Sequence, residues 1–369
     1  MGRRPGLLLA TLALLASAAA GSRVAEQELE QAVRARGLDP AEIVFPGRLT
    51  EEMRAWAHRQ VEGVPGEERR LGVLLNALLD RDGKGLQYAV HANGTAEEVF
   101  ATGRANCLAF TNLFVAMGRE IGADVYYLQI RRRPSFDQEG DLVVVWEHVT
   151  AGYGPPNRRL ALEFDIGPPV ESAQSEELSD LTALAMYYSN RGAGELLAGS
   201  AEKAREWLDV AVRLDPAWSQ AWLNLGVARR RSGDLAGAEE AYREAIEADA
   251  RNYQAYHNLV GLLRLQGEGV AAREVLRLLD RRDNRDPFIY LSLGDESLAA
   301  RRLREAERYY QRAHRLAPTE GETRAALGLL AFHQGRPRRA LRWWERSRPA
   351  EGEPRGPRAR QLAALLGVD

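Results

Sequence analysis

Small and large apolar positions return every 34 residues through the second half of the chain. One column holds Gly192, Gly226, Val260, Gly294 and Gly328, and another holds Ala204, Ala238, Ala272, Ala306 and Ala340. A third carries large side chains, Leu208, Tyr242, Leu276, Tyr310 and Trp344. An upstream column carries Tyr188, Trp222, Tyr256 and Tyr290, with Arg324 as its departure. Pro216 and Pro318 fall at the end of a period, and Ala250 takes the corresponding slot in the second. Each period predicts a helical hairpin whose small residues let its two helices approach closely, with the aromatics expected to fill the space between successive hairpins. No hairpin of this kind buries its apolar face alone, so a stack of five is predicted over residues 185–348, with a concave groove along it. After Arg348 the run from Pro349 to Pro357 is rich in helix breakers, and Arg358 to Leu366 returns to a helical pattern. Residues 349–369 therefore predict a linker and a short capping helix.

The columns resemble those of the tetratricopeptide repeat family. The resemblance implies an all-α solenoid whose groove takes an extended or helical segment, so a protein or peptide partner is expected. Arg191 and Arg324 mark the terminal repeats, where one face meets another domain or solvent. The remaining Arg and Glu residues of the hairpins are read as solvated surface.

Residues 23–170 carry no such period and change midway from helical to strand-like patterning, which predicts an α+β domain. Residues 21–64 read as an N-terminal helical segment, with a helix from Val24 to Arg36 and another opened by Thr50 and two acidic residues. Glu67 to Leu79 is a third helix, and Thr95-Ala-Glu-Glu98 has the spacing of a capping box. Phe110, Leu113, Phe114, Met117 and Ile121 fall at helical spacing, which places Cys107 in the first turn of an amphipathic helix capped by Asn106. Strands are predicted at Val125–Ile130, Leu142–Val149 and Leu160–Asp165, separated by loops at 131–140 and 152–157.

At 369 residues and 45% hydrophobic content the chain holds two or three folded domains. Its formal charge of −2, with basic and acidic residues interspersed, argues against a nucleic-acid surface. Residues 1–20 combine Arg3 and Arg4, an apolar stretch from Leu7 to Leu15 and a small-residue run to Ala20, the pattern of a secretory signal peptide. That stretch is short of the roughly 20 residues that cross a bilayer, so an exported chain without a transmembrane span, periplasmic or secreted, is expected. No cysteine follows the leader, which argues against a lipid on an N-terminal Cys. Asn93-Gly-Thr95 is a glycosylation sequon, with meaning only in a eukaryotic secretory pathway.

Cys107 is the only cysteine, so no internal disulfide exists in a chain expected to meet an oxidising compartment. At a helix start, free N–H groups and the dipole favour the thiolate. Moving a thiol from about 8.5 to below 6 takes roughly 3 to 4 kcal/mol, more than a helix end supplies, so a histidine is needed on a neighbouring rigid element. His148 lies in the second predicted strand and Asp165 closes the third; antiparallel pairing of the two brings imidazole and carboxylate together under the helix. His58, His91, His257, His314 and His333 show no metal-ligand spacing, and there is no phosphate-binding glycine loop or serine elbow, so neither metal nor cofactor is expected.

Through Gly103-Arg-Ala-Asn-Cys107-Leu-Ala-Phe-Thr-Asn-Leu, Glu147-His148-Val and Phe164-Asp165, residues 65–170 resemble the transglutaminase-like superfamily. Asn106 stands where that family usually has Gly. The resemblance implies a papain-like fold with Cys107 as nucleophile, His148 as general base and acid, and Asp165 fixing the imidazole tautomer. Candidate oxyanion donors are the Cys107 N–H and a side chain near Gln87 or Tyr88, although ordinary strand or loop roles are preferred for those two. The expected activity is acyl transfer through a Cys107 thioester, with hydrolysis of a peptide or amide bond first and amine transfer second. The other reading is a non-catalytic envelope scaffold retaining a degenerate domain of this type.

Overall fold

The computed structural model describes residues 26–130, 136–139, 142–145, 148–155, 159–162, 175–280, 287–348 and 356–368; for residues 136–139 and 142–145 and for His148 and Asp280 only the backbone is described. The chain divides into two compact units, residues 1–241 and 242–369, and each is treated by itself.

The first unit opens with a helical stretch at 26–35 (α1), followed by α2 (Glu51–Gln60), α3 (Glu67–Leu79), α4 (Ala96–Thr102) and α5 (Cys107–Glu120). Local chemistry sets the helix starts. Thr50 Oγ1 accepts the Met53 N–H, and Thr95 with Glu98 forms the predicted reciprocal capping box. The spacing at Phe110, Leu113, Phe114, Met117 and Ile121 is the buried face of α5, each residue 3% exposed or less. Leu71, Leu74 and Leu78 of α3 and Met53 of α2 complete that core.

A four-stranded antiparallel sheet lies beside α5. Its order is β7 (Leu160–Leu162), β6 (His148–Tyr153), β3 (Val125–Ile130) and β8 (Ser175–Leu178). α5 packs on both β3 and β6. Gly118 permits that approach, since a Cβ there would sit 2.9 Å from Val125 Cγ2 and 3.2 Å from Leu71 Cδ2. A two-residue parallel pair, β1 (Gln87–Tyr88) with β2 (Arg104–Ala105), lies just ahead of α5.

Three sequence expectations are corrected here. β5 (Leu142–Val145) pairs antiparallel with β4 (Phe136–Glu139), which lies inside the predicted loop at 131–140, and His148 opens β6 in the main sheet; residues 146 and 147 of the predicted strand lie outside the described residues. β6 also runs on to Tyr153, into the second predicted loop. The fourth strand, β8, comes from beyond residue 170.

From residue 180 onward the helices come in pairs. They are α6 (Asp180–Leu197) with α7 (Ala201–Leu214), α10 (Tyr253–Leu265) with α11 (Gly269–Asp280), α12 (Pro287–Ala299) with α13 (Leu303–Leu316), and α14 (Gly321–His333) with α15 (Pro337–Arg346), while α8 (Ser219–Arg231) is followed by α9 (Leu235–Ala248), in which the boundary between the units falls. α16 (Pro357–Leu366) follows, at the predicted cap. The alanine column is fully buried, at 0% exposure in every repeat. In two hairpins the glycine and large columns meet: a Cβ on Gly192 would lie 2.5 Å from Leu208 Cγ, and one on Gly294 would lie 2.3 Å from Tyr310 Cε1. At Gly328 the occupant is Leu362 of α16, 2.2 Å from such a Cβ.

The Arg324 departure has a local reason. Trp222 Nε1–H donates to the Pro216 carbonyl at 2.9 Å, and Arg324 Nε–H donates to the Pro318 carbonyl, six residues back in the same way, at 2.9 Å. Arginine keeps the donor that closes the repeat end while losing the apolar ring.

Candidate functional site

Cys107 is the first residue of α5 and is half-buried. Asn106 caps the helix, its Oδ1 accepting the Ala109 N–H at 2.9 Å. That cap gives Asn106 a structural use. Cys107 and Leu108 occupy the first two positions of the helix. The chain leading to Cys107 is held by backbone pairing: Gln87 N–H to Gly103 O at 2.8 Å, Ala89 N–H to Ala105 O at 2.8 Å, and Asn106 N–H to Ala92 O at 2.9 Å. Gln87 and Tyr88 are thus exposed strand positions running alongside the cysteine turn, with Tyr88 56% exposed.

One turn into α5, Thr111 links helix to sheet. Its hydroxyl donates to the Cys107 carbonyl at 2.7 Å and lies 3.4 Å from the Val149 carbonyl. The first turn of α5 therefore sits against the opening of β6. His148 is the residue before Val149 and pairs with Ile130 across the sheet. Asp165 lies outside the described residues. β6 and β7 pair antiparallel, as expected from the sequence, with Tyr153 opposite Leu160 and Ala151 opposite Leu162.

Two buried polar groups near α5 were not anticipated. Glu120, 2% exposed, ends the helix in contact with Arg54 Nη1 and with His58 Nε2 at 3.1 Å, both from α2. Tyr127 on β3 donates its hydroxyl to Asn112 Oδ1 at 3.0 Å. Burial, and next the charge of Asp180, pushes the Tyr127 phenol well above its ordinary range. Such partners come from elements far apart in sequence, and no short motif marks them. A cavity of about 100 Å³ lies behind this face of α5, lined by Asn112, Arg119, Tyr127 and Asp180 among others.

α5 is also joined to the first helix pair. Arg119 forms a two-pronged ion pair with Asp180 at the start of α6 (2.5 and 2.9 Å). The Val44 N–H donates to Tyr188 Oη at 2.7 Å, and Arg213 Nη2 donates to the Gly37 carbonyl at 2.6 Å. Among the described residues no helix is long and apolar enough to cross a membrane.

Comparison with known proteins locates the repeats. Two family models described as tetratricopeptide repeat match residues 229–293 and 291–354. The C-terminal region consists of tetratricopeptide repeats. The chain is 43% identical over 75 residues to the heat-shock protein cognate co-chaperone sgt12 of Aspergillus fumigatus, which covers 20% of this chain and 22% of that protein. It is 30% identical over 133 residues to the type IV pilus assembly protein PilF of Pseudomonas aeruginosa, covering 35% of this chain and 52% of that protein. The matches thus span about a fifth to a half of those relatives. A solved structure from the functional characterization of Pseudomonas aeruginosa PilF aligns at 24% identity with a TM-score of 0.41, over 50% of this chain and 84% of that one.

Proposed function

We propose that the chain is an exported thiol acyl-transfer enzyme mounted on a protein-binding repeat scaffold. The observation that carries the chemical half is the Thr111 link, which sets the turn headed by Cys107 against the strand that opens with His148. Nucleophile and base then stand on two rigid elements that pack on one another, which is what activation of a thiol needs.

In the proposed reaction His148 takes the thiol proton and the sulfur of Cys107 attacks a peptide or amide carbonyl. The tetrahedral oxyanion is met by the Cys107 N–H at the helix start. Collapse breaks the C–N bond, His148 returns the proton to the leaving amine, and a thioester remains. Water, deprotonated by His148, then attacks the thioester carbonyl, the C–S bond breaks, His148 returns the proton to the Cys107 sulfur and the acid leaves; an amine in place of water would make the reaction a transfer. Asp165, which lies outside the described residues, is proposed to orient the imidazole on the strength of the transglutaminase-like resemblance alone. In this proposal residues 65–170 form a transglutaminase-like domain and residues 1–20 are a cleaved leader.

The repeats supply the other half. A co-chaperone and a pilus assembly protein among the relatives are in keeping with a region that holds other proteins. The second reading, a scaffold without catalysis, draws on the Arg119–Asp180 pair, which makes α5 a base for the first repeat as much as a support for Cys107. Intact-mass spectrometry after exposure to an activated acyl ester separates the two. The enzyme reading expects one acyl adduct on Cys107, absent in Cys107→Ala and formed at least tenfold more slowly in His148→Ala. Equal acylation with and without His148 supports the scaffold.

A further inference from the structure

α16 inserts one arginine into a clasp made by two repeats of the second unit. Arg358 Nη2 meets Asp295 Oδ2 of α12 at 2.7 Å, its Nε reaches Asp295 Oδ1 at 3.3 Å, and its Nη1 meets Glu322 Oε2 of α14 at 2.9 Å. The Tyr310 hydroxyl donates to Asp295 Oδ1 at 2.8 Å and so fixes that carboxylate. Glu322 does more than balance charge. Its two oxygens also face the Arg358 backbone N–H at 3.2 and 3.3 Å, so the carboxylate caps the positive end of α16. Gly356 fits over it only because it lacks a side chain, since a Cβ would lie 2.2 Å from Glu322 Oε1. Below the clasp Ala359 and Leu362 are 1% and 0% exposed, with Leu362 filling the space over Gly328.

These contacts read a short pattern: glycine, arginine two residues on, a small residue next, and leucine four residues after the arginine. Apolar burial alone explains Ala359 and Leu362. It does not explain a guanidinium shared between carboxylates of two successive repeats, one of which also caps the incoming helix. We propose that Asp295 and Glu322 form a recognition site for an arginine in the first turn of a partner protein's helix, with α16 as its built-in occupant. The proposal rests on reading the repeats as a protein-binding scaffold and is independent of the thiol chemistry. A segment of the same chain competes at an effective concentration on the order of mM, so a partner displaces α16 only by matching the pattern or adding contacts of its own.

The test uses the full chain and a labelled synthetic peptide of residues 356–369. Wild type is expected to bind the peptide weakly, because α16 holds the site. Arg358→Ala, and separately Leu362→Ala, should bind it at least tenfold more tightly, with faster hydrogen exchange across α16. Adding Asp295→Ala or Glu322→Ala should abolish the gain, and a peptide carrying Ala for its arginine should not bind. Unchanged peptide affinity in both latch variants, or a gain that ignores Asp295 and Glu322, overturns the proposal. So does loss of repeat helicity in both, which would make α16 an integral part of the fold. A chain that still captures a protein partner in those cases keeps the scaffold reading and loses only the clasp.

Discussion

Arg119, at the end of the helix that begins with Cys107, holds Asp180, the first residue of the first repeat helix, by two parallel hydrogen bonds. Burial opposes the charge on this guanidinium, and Asp180 outweighs it, so the arginine stays more firmly protonated than in water. The helix carrying the candidate nucleophile is therefore tied to the repeats at its far end and to the sheet at its near end.

The two members of that pair should not be equivalent. Asp180→Ala leaves a largely buried guanidinium with the Val125 carbonyl as its neighbour, whereas Arg119→Ala leaves a carboxylate at a favourable helix start. With both side chains about a third exposed or less, we expect a loss of about 1–3 kcal/mol for Asp180→Ala and a smaller loss for Arg119→Ala. Urea unfolding of the two single variants and the double variant measures both losses and their coupling.

Glycines of the repeat column should resist even a methyl group. Gly192→Ala and Gly294→Ala each force a Cβ into the facing Leu208 or Tyr310 and should cost about 1–3 kcal/mol. Gly261 lies in α10 with nothing within 4 Å of its Cβ position, so Gly261→Ala should be neutral or stabilising by up to about 1 kcal/mol. Opposite signs in thermal unfolding distinguish column from non-column glycines.

The repeats were the most legible part of the sequence, because each contact that makes them is local and returns at a fixed period. Helix α3 and strand β3 appear at their predicted limits, and the Asn106 and Thr95 caps are present, for the same reason. What escaped depends on distant partners. Ser-Glu-Glu-Leu in β8 has no strand propensity of its own and becomes a strand by pairing with β3. Phe136–Glu139 reads as part of a polar loop and becomes strand β4 by pairing with β5. At the candidate site, the helix bearing Cys107 and its cap were readable, while Thr111, which ties that turn to β6, looked like any polar residue within a helix.

Asn106 offers a way to separate stability from reactivity. Asn106→Ala removes the cap on the Ala109 N–H and should cost about 1 kcal/mol. Asn106→Asp keeps the acceptor and suits the helix dipole, but sets a negative charge next to the thiol. It should preserve stability while slowing alkylation of Cys107 at neutral pH, because the added charge disfavours the thiolate. Paired unfolding and alkylation measurements on both variants check this.

Acid should loosen the last repeat. Burial, followed by the charge of Arg324, holds the His314 imidazole below its ordinary value; it lies 3.3 Å from Thr323 Oγ1 and edge-on to Trp343. A histidine depressed in the folded state takes up protons more readily when unfolded, so its contribution is complete above about pH 6.5 and is lost as pH falls below that. His314→Gln should flatten this part of the stability profile in unfolding experiments between pH 7 and 5.

The rate of Cys107 alkylation as a function of pH tests the central claim most directly. If His148 sustains the thiolate, the rate should stay high well below the ordinary thiol range, and in His148→Ala it should fall toward a single titration near pH 8.5. A wild-type profile that already shows that single titration, and does not change when His148 is removed, contradicts the account.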